Sequence, residues 1–432
     1  LGEFSVAETS EESAFSRLPP RLQESFFELA DHATRRLSEF LKREEEKLKE
    51  LGSILKFRRM PQRIREDLRV GAVDGSVSPR LSERLGFRVG VYAATYMAFD
   101  GGAIISDGDE RSMEAGYLIA PQTGSPLHTK KILSLLSTLL ERKLALRCLK
   151  EYDVDLMLID GSFYGFRTRC SEIKDKRLRD LGVEGPELDE WGIETGWDLI
   201  KKVYDLTNEL KKTGKVVAVI KRVRTSAIDG WLLSRSWSLS SILSRNDRAI
   251  LRRLMKPGEY FDYADLLEDR SHYLHYSGLK GWFNEIMRKI RDLPEGEKLR
   301  KALEHVEKKL RLQISTDLCP AGASDREKDE TYREVISPMR LYVRLSPYAA
   351  PACIELGDGV DLNLALAYLL ASGNPATGLP FPIDLIDEMI SFDRRLASEF
   401  ADEVEAKLLL SSGLNVDDVH GYFESINPQK SE

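Results

Sequence analysis

The sequence predicts an α/β fold: a mixed β-sheet flanked by helices, preceded by a helical arm and interrupted by helical insertions. Three observations carry this. Short apolar, strand-like runs alternate with stretches of helical periodicity along the chain. The first strand-like runs are joined by Gly-rich turns and read as an antiparallel meander, whereas the later ones are separated by helices and read as parallel additions. The phrase Asp-Gly-Ser occurs twice, in AVDGS and in MLIDGSF, each time directly after an apolar run.

From about Arg21 to Leu55 the apolar residues Phe26, Phe27, Leu29, Ala30, Ala33, Leu37, Phe40 and Leu41 recur at helical spacing, with Gly52 as the expected stop. Leu1-Gly2-Glu3-Phe4 reads as a cloning remnant. The segment Lys56 to Arg69 carries six basic residues and runs into the strand Val70 to Ser76. A second strand spans Phe87 to Phe99, and AIIS after Asp100-Gly101-Gly102 is the expected third. A long helix follows from about His128 to Tyr152, then the strand Val154 to Phe163. A polar stretch with Trp and Gly interruptions leads to a helix over Trp197 to Lys212 and a strand over Lys215 to Val223. Ser234 to Lys309 reads as mostly helical, with breaks at Pro257-Gly258 and Pro294-Glu295-Gly296. Strands Met339 to Ser346 and Ala352 to Leu356 come next, and the last third is helical, over Leu362 to Ala371 and from Ile383 onward. This order matches a ribonuclease-H-like topology, in which the first and fourth strands lie side by side. Asp74 and Asp160 would then be neighbours on one sheet. The expected division is a helical arm at 1–55, a ribonuclease-H-like domain at 56–400 with insertions near 165–212 and 234–309, and a helical tail at 401–432.

A net charge of -7 means that any nucleic-acid contact must come from local basic patches. Cys148, Cys170, Cys319 and Cys353 form no C-x-x-C pair, which argues against a zinc ribbon or a dithiol redox motif. His272 and His275 lack a second ligand pair and read as surface or interface residues. No apolar run reaches the ~20 residues of a membrane span, and no signal peptide is visible, so a cytoplasmic location is expected. No G-x-x-x-x-G-K-[ST] phrase occurs, so the chain is not expected to hydrolyse ATP.

The residues that point to chemistry are carboxylates. An Asp at the end of a buried strand, followed by a Gly that frees the backbone to turn, is well placed to hold a divalent cation. Asp74 and Asp160 both have this setting. Glu141, between them, has Ser137, Leu144, Ala145 and Cys148 as its helical neighbours, so it lies on or beside the face that packs on the sheet. A carboxylate there wants a partner. Oxygen-rich sites suit Mg²⁺ or Mn²⁺, and two-metal phosphodiester cleavage places its ions roughly 3.5–4 Å apart. Glu114 and the Asp107-Gly108-Asp109-Glu110 cluster are acidic rivals that read as structural. Tyr164, Phe166, Trp231 and Trp237 have the chemistry to stack unpaired bases, with core packing as the simpler reading.

With these motifs in their order, the chain resembles the NurA nuclease family. The matching stretches are AVDGS (Asp74), the helix bearing Glu141 followed by LIDGSF (Asp160), VIKRVRTS (Lys221), SRNDRAILRRLMKPGEY, CIEL (Glu355) and GLPFPIDLID, from about residue 70 to 400. The family's last motif usually ends in His, where this chain has Asp387. The resemblance implies a metal-dependent deoxyribonuclease, a 5′-3′ exonuclease and single-strand endonuclease. Its setting would be DNA double-strand-break end resection and homologous recombination. It implies two Mn²⁺ or Mg²⁺ ions held by Asp74, Glu141 and Asp160, with Asp387 as a further ligand and Lys221 facing the scissile phosphate. It also implies a homodimer that acts on single- and double-stranded DNA beside a HerA-type hexameric ATPase, with no membrane association. Basic residues next to the motifs, namely Arg58, Arg59, Arg63, Arg222 and Arg224, are the expected DNA contacts. Two other readings stay open: a catalytically degenerate DNA-binding scaffold of the same fold, and an RNase-H- or Argonaute-like RNA-directed nuclease.

Overall fold

A computed structural model of the 432-residue chain describes residues 16–65, 67–106, 109–267, 272–411 and 413–426. Leu1 to Phe4, Asp107 and Gly108 lie outside them. The chain divides into two compact units, Leu1–Leu55 and Lys56–Glu432. In the first, helix α1 (Pro20–Ile54) begins with Pro at its first turn, where the missing N–H removes no hydrogen bond. It runs through Gly52 rather than stopping there. Leu22, Phe27, Leu29, Leu37 and Leu41 on it are exposed.

The second unit is built on one 11-stranded sheet. Its strands are β1 (Arg58–Arg59), β2 (Arg69–Val77), β3 (Ser82–Glu83), β4 (Phe87–Asp100), β5 (Ala103–Ile104), β6 (Met113–Pro121), β7 (Leu156–Asp160), β8 (Val216–Ile220), β9 (Glu259–Asp262), β10 (Met339–Arg344) and β11 (Ala352–Leu356). The spatial order is β1-β9-β10-β11-β8-β7-β2-β4-β3, with β5 and β6 both paired to β4. The β2–β7 and β7–β8 pairs are parallel and the others antiparallel. This is a ribonuclease-H-like mixed sheet, with the first long strand beside β7, as the element order required. The parallel strands β7 and β8 are continuous apolar runs because both their faces are covered.

Four strands were not legible in advance: the two-residue β1 and β3, and the longer β6 and β9. The third long strand of the meander is β6, not AIIS, of which only Ala103 and Ile104 pair. The sequence of β6, MEAGYLIAP, opens with Met-Glu-Ala-Gly, in which Glu, Ala and Gly are poor strand formers, and its strand state comes from a nine-residue ladder with β4. Strand β9 is four residues long and lies inside a stretch read as helical. Four residues are too few to show a period.

Helix α2 (Pro126–Glu151) starts at Ser125, whose hydroxyl accepts from the His128 N–H, with Pro126 at the first turn. It packs on β2 and β4 and is covered by the helix Gly196–Lys211. Leucines at 133, 135, 136, 139, 140 and 144 are therefore buried around its whole circumference. The opposite face of the sheet carries Val70, Ala72, Leu156, Leu158, Val217 and Val219, packed with Ile383 and Ile386 of the helix Phe381–Met389. The helices Leu396–Ser411 and Val416–Phe423 form a smaller cluster on Phe87 and Val89 of β4. Among the described residues no helix is long and apolar enough to cross a membrane. The four cysteines are buried and unbridged. His275 is buried, with its Nε2 2.7 Å from the Tyr332 hydroxyl, so it is an internal residue rather than a surface one.

Candidate metal centre

The parallel register sets the site. Val73 pairs with Ile159, and Ile159 with Ala218, so Asp74 and Asp160 fall in one row at the ends of adjacent strands. Asp160 pairs with Val219, and Lys221 is two residues further on, on the same face. That face is the one covered by Phe381–Met389, the helix that carries Asp387. Carboxylate oxygens of Asp74, Asp160 and Asp387 all lie within 4.8 Å of one another. The ammonium of Lys221 sits among them, 3.7 Å from Asp74 Oδ2, 3.2 Å from Asp160 Oδ2 and 2.7 Å from Asp387 Oδ1.

The glycines after the two aspartates act differently. Gly161 has φ +86°, so the chain turns there as expected, and its N–H donates to the Val219 carbonyl. Gly75 does not turn the chain, since β2 continues to Val77. Its missing side chain admits α2: a Cβ there would lie 2.9 Å from Ser137 Oγ and 3.4 Å from Glu141 Cβ.

Glu141 is thus brought to the same cleft from the other face of the sheet. It is 7% exposed, and Asp74, Glu141 and Asp160 line one cavity of about 260 Å³. It is not part of the tight trio. Its Oε1 accepts from Arg142 Nη1 at 2.6 Å.

The electrostatics are those of crowded like charges. Burial, then Asp160 and Glu141, push the Asp74 carboxyl far above its usual range, with Lys221 opposing. Burial also raises Asp160, against the pull of Lys221. Burial pushes Glu141 up to about 7, with Arg142 opposing. For Lys221 burial acts downward, but Asp160, Asp387 and Asp74 leave its affinity for the proton raised. A site of oxygen donors whose charges repel unless a cation joins them fits a hard divalent ion.

The expected basic contacts are spread out. Arg222 and Arg224 follow Lys221 and are exposed. Arg58 and Arg59 are on β1, four strand spacings from β8, or roughly 19 Å. The Arg58 guanidinium is paired with Asp265. Arg63 is exposed. Arg248, in the matching stretch SRNDRAILRRLMKPGEY, holds the Lys221 carbonyl at 2.6 Å and the Pro351 carbonyl at 2.9 Å. Glu114 is a structural acid, bonded to Lys143 and Arg147. Tyr164 and Phe166 are buried. The residue that sequence reasoning left without a role is Glu355 in CIEL. It accepts from the Ser162 hydroxyl and the Phe163 N–H, and its other oxygen is held by Arg340, so it anchors the loop that follows Asp160. A charged residue inside an otherwise apolar strand was the available signal.

A NurA domain model matches residues 68–392. Among solved structures, the NurA nuclease from Sulfolobus solfataricus is 14% identical, with a TM-score of 0.53 over 92% of this chain and 100% of that one. A structure of NurA bound to dAMP and manganese is also 14% identical, with a TM-score of 0.47 over 91% of this chain and 98% of that one. At 14% identity the likeness to the Sulfolobus solfataricus structure speaks for the fold. No curated protein matches the chain.

Proposed function

The chain belongs to the NurA family, and we propose that it is a divalent-metal-dependent DNA nuclease whose centre is the Asp74, Asp160 and Asp387 cluster. The observation that carries this reading is the meeting of three carboxylates, from β2, β7 and the helix Phe381–Met389, around one cation-sized point. Those three would hold one Mn²⁺ or Mg²⁺, and Glu141 would serve a second ion from the far side of the cleft. A bound ion supplies Lewis acidity at the phosphate and a more acidic attacking water. The protein's own part is to fix the carboxylates on a rigid sheet and to hold Lys221 where negative charge develops at the phosphate. Arg248 steadies Lys221 through its carbonyl, and Glu355 steadies the turn after Asp160.

The exposed Arg222 and Arg224, with Arg58, Arg59 and Arg63 further out, would bind backbone phosphates without reading bases. Family membership supports the wider role: 5′-3′ exonuclease and single-strand endonuclease activity in double-strand-break resection, as a homodimer beside a HerA-type hexameric translocase. The lack of a phosphate-binding ATPase loop in this sequence agrees with a partner moving the DNA.

The test uses 5′-labelled single-stranded DNA and an RNA–DNA hybrid, with Mn²⁺ and with EDTA. The expected result is Mn²⁺-dependent loss of DNA that disappears in Asp74→Ala. Binding without cleavage would favour a scaffold, and selective loss of the RNA strand an RNA-directed nuclease.

A further inference from the structure

The cleft beside the acid cluster has a basic wall that the proposed chemistry does not use. Arg142 and Arg169 line the same cavity as Asp74, Glu141 and Asp160. Arg142 is 2% exposed, yet its guanidinium is only partly satisfied. Nη1 donates to Glu141 Oε1 at 2.6 Å and Nη2 to the Ser162 carbonyl at 3.4 Å, while Nε is shut off from solvent with no acceptor. Arg169 ends the short 3-10 turn Gly165–Arg169. Among the described residues its half-buried guanidinium makes no hydrogen bond and no ion pair. Burial lowers its hold on the proton and the nearby Glu141 raises it. Two guanidinium groups therefore face one carboxylate across the cavity, with donors left over on both.

Guanidinium donors left unfilled in a buried wall are costly, and the planar fork of N–H donors suits a phosphate. At about 260 Å³ the cavity is smaller than the ~300–1,000 Å³ typical of small-molecule pockets. It has room for a phosphate and the edge of its sugar, not for a duplex. Its other wall is the proposed metal centre, so an anion held here would belong to the strand being cut.

We propose that Arg142 and Arg169 form an anion subsite that grips a non-scissile phosphate of the DNA strand and so sets where that strand lies on the carboxylates. This rests on the nuclease reading of the neighbouring cluster. The occupant is either a terminal phosphate monoester or an internal diester, and the experiment separates them.

Three 20-nucleotide single strands, with a 5′-phosphate, a 3′-phosphate or hydroxyls at both ends, are titrated in EDTA by fluorescence anisotropy at several salt concentrations. The proteins are wild type, Arg169→Gln and Arg169→Lys. For Arg169→Gln we expect a roughly tenfold loss of affinity and a salt slope shallower by about 0.7. Arg169→Lys, which keeps the charge but not the fork, should keep the slope and lose part of the affinity. A loss confined to one end-phosphorylated strand assigns the terminal monoester at that end; an equal loss for all three assigns an internal diester. Wild-type affinity and slope in either variant, shown to be folded by circular dichroism, would overturn the subsite. If the losses appear but wild type cleaves nothing with Mn²⁺, the subsite stands and the nuclease reading falls. A wild-type protein that binds none of the strands overturns the subsite, while the nuclease reading is decided separately by the Mn²⁺ cleavage assay.

Discussion

The Lys221 ammonium lies 2.7 Å from Asp387 Oδ1, although 166 positions separate the two residues in the chain. The same nitrogen reaches Asp160 and Asp74. The chain thus supplies its own counter-cation to a cluster of acids, and a divalent ion entering there must exchange places with it.

Replacing Lys221 by Met should expose that role. The three carboxylates lose the cation they share, so metal-free Lys221→Met should be less stable by about 1–3 kcal/mol, the worth of hydrogen bonds to charged groups. The loss should be larger at pH 8 than at pH 5.5, because at lower pH the acids protonate. Thermal unfolding in EDTA at the two pH values measures this. With Mn²⁺, binding should persist while turnover falls by about 10²–10³, as for loss of a charge-stabilising donor.

Asp74→Asn should do the reverse for stability. Asp74 is 5% exposed and carries a carboxyl made reluctant to ionise by burial and by its acidic neighbours. A neutral amide relieves that repulsion, so the metal-free protein should melt higher, by about 1 °C per kcal/mol gained in a chain of this size. The stabilisation that Mn²⁺ gives wild type should vanish, and cleavage should fall by at least about 100-fold. An unchanged Mn²⁺ shift would remove Asp74 from the ligand set.

The pH dependence follows from raised carboxyls. Asp74, Asp160 and Glu141 all have folded-state values above their unfolded ones. Their contribution to stability is fully present below the unfolded range, near pH 4. It is lost as pH rises through the folded values, about 7 for Glu141. Metal binding has the opposite slope, because its ligands must shed protons. The rise in melting temperature on adding Mn²⁺ should therefore be larger at pH 8 than at pH 5.5, as scanning fluorimetry can show.

Asp387 stands where the resembled family usually has His. Asp387→Ala should weaken Mn²⁺ binding, whereas Asp387→His should retain it and shift preference from Mg²⁺ toward Mn²⁺, since imidazole suits the softer ion. Isothermal titration with each metal is the measurement. Equal Mn²⁺ affinity in Asp387→Ala would show that its proximity serves only Lys221.

Glu355 and Arg340 form a buried cross-strand pair between β11 and β10. Arg340→Met leaves Glu355 without its partner and should cost about 3–5 kcal/mol. Glu355→Gln keeps the shape, costs less, and loosens the Ser162 and Phe163 contacts behind Asp160. Its signature should be reduced turnover in a protein that still melts cooperatively.

Much of this was written locally. The continuous apolar runs of β7 and β8 and the leucine-rich α2 could be recognised because each follows from its own residues' periodicity. Asp74, Glu141 and Asp160 stood out because acids sat where apolar faces should be. The strand β6 and the strand β9 did not stand out, since their state depends on the ladders they join. Lys221 falls just past the observed end of β8, whereas the sequence pattern ran on to Val223. Nothing in the residues around Arg248 shows that its guanidinium is occupied with main-chain carbonyls.

Local periodicity was enough to expect the main strands and helices and the acids to watch, because strand and helix periods are short-range properties; the pairing of the first long strand with the one ending at Asp160 came from matching the element order to a known topology. Which acids share a cation-sized space depends on packing. Asp387 joins Asp74 and Asp160 because its helix packs on the face to which their side chains point. Glu141 approaches from the other face and is claimed first by Arg142. Which side of the sheet a side chain reaches is set by register and packing across the sheet; the residues around Glu141 showed that it faces the sheet but not which side of the sheet its helix covers.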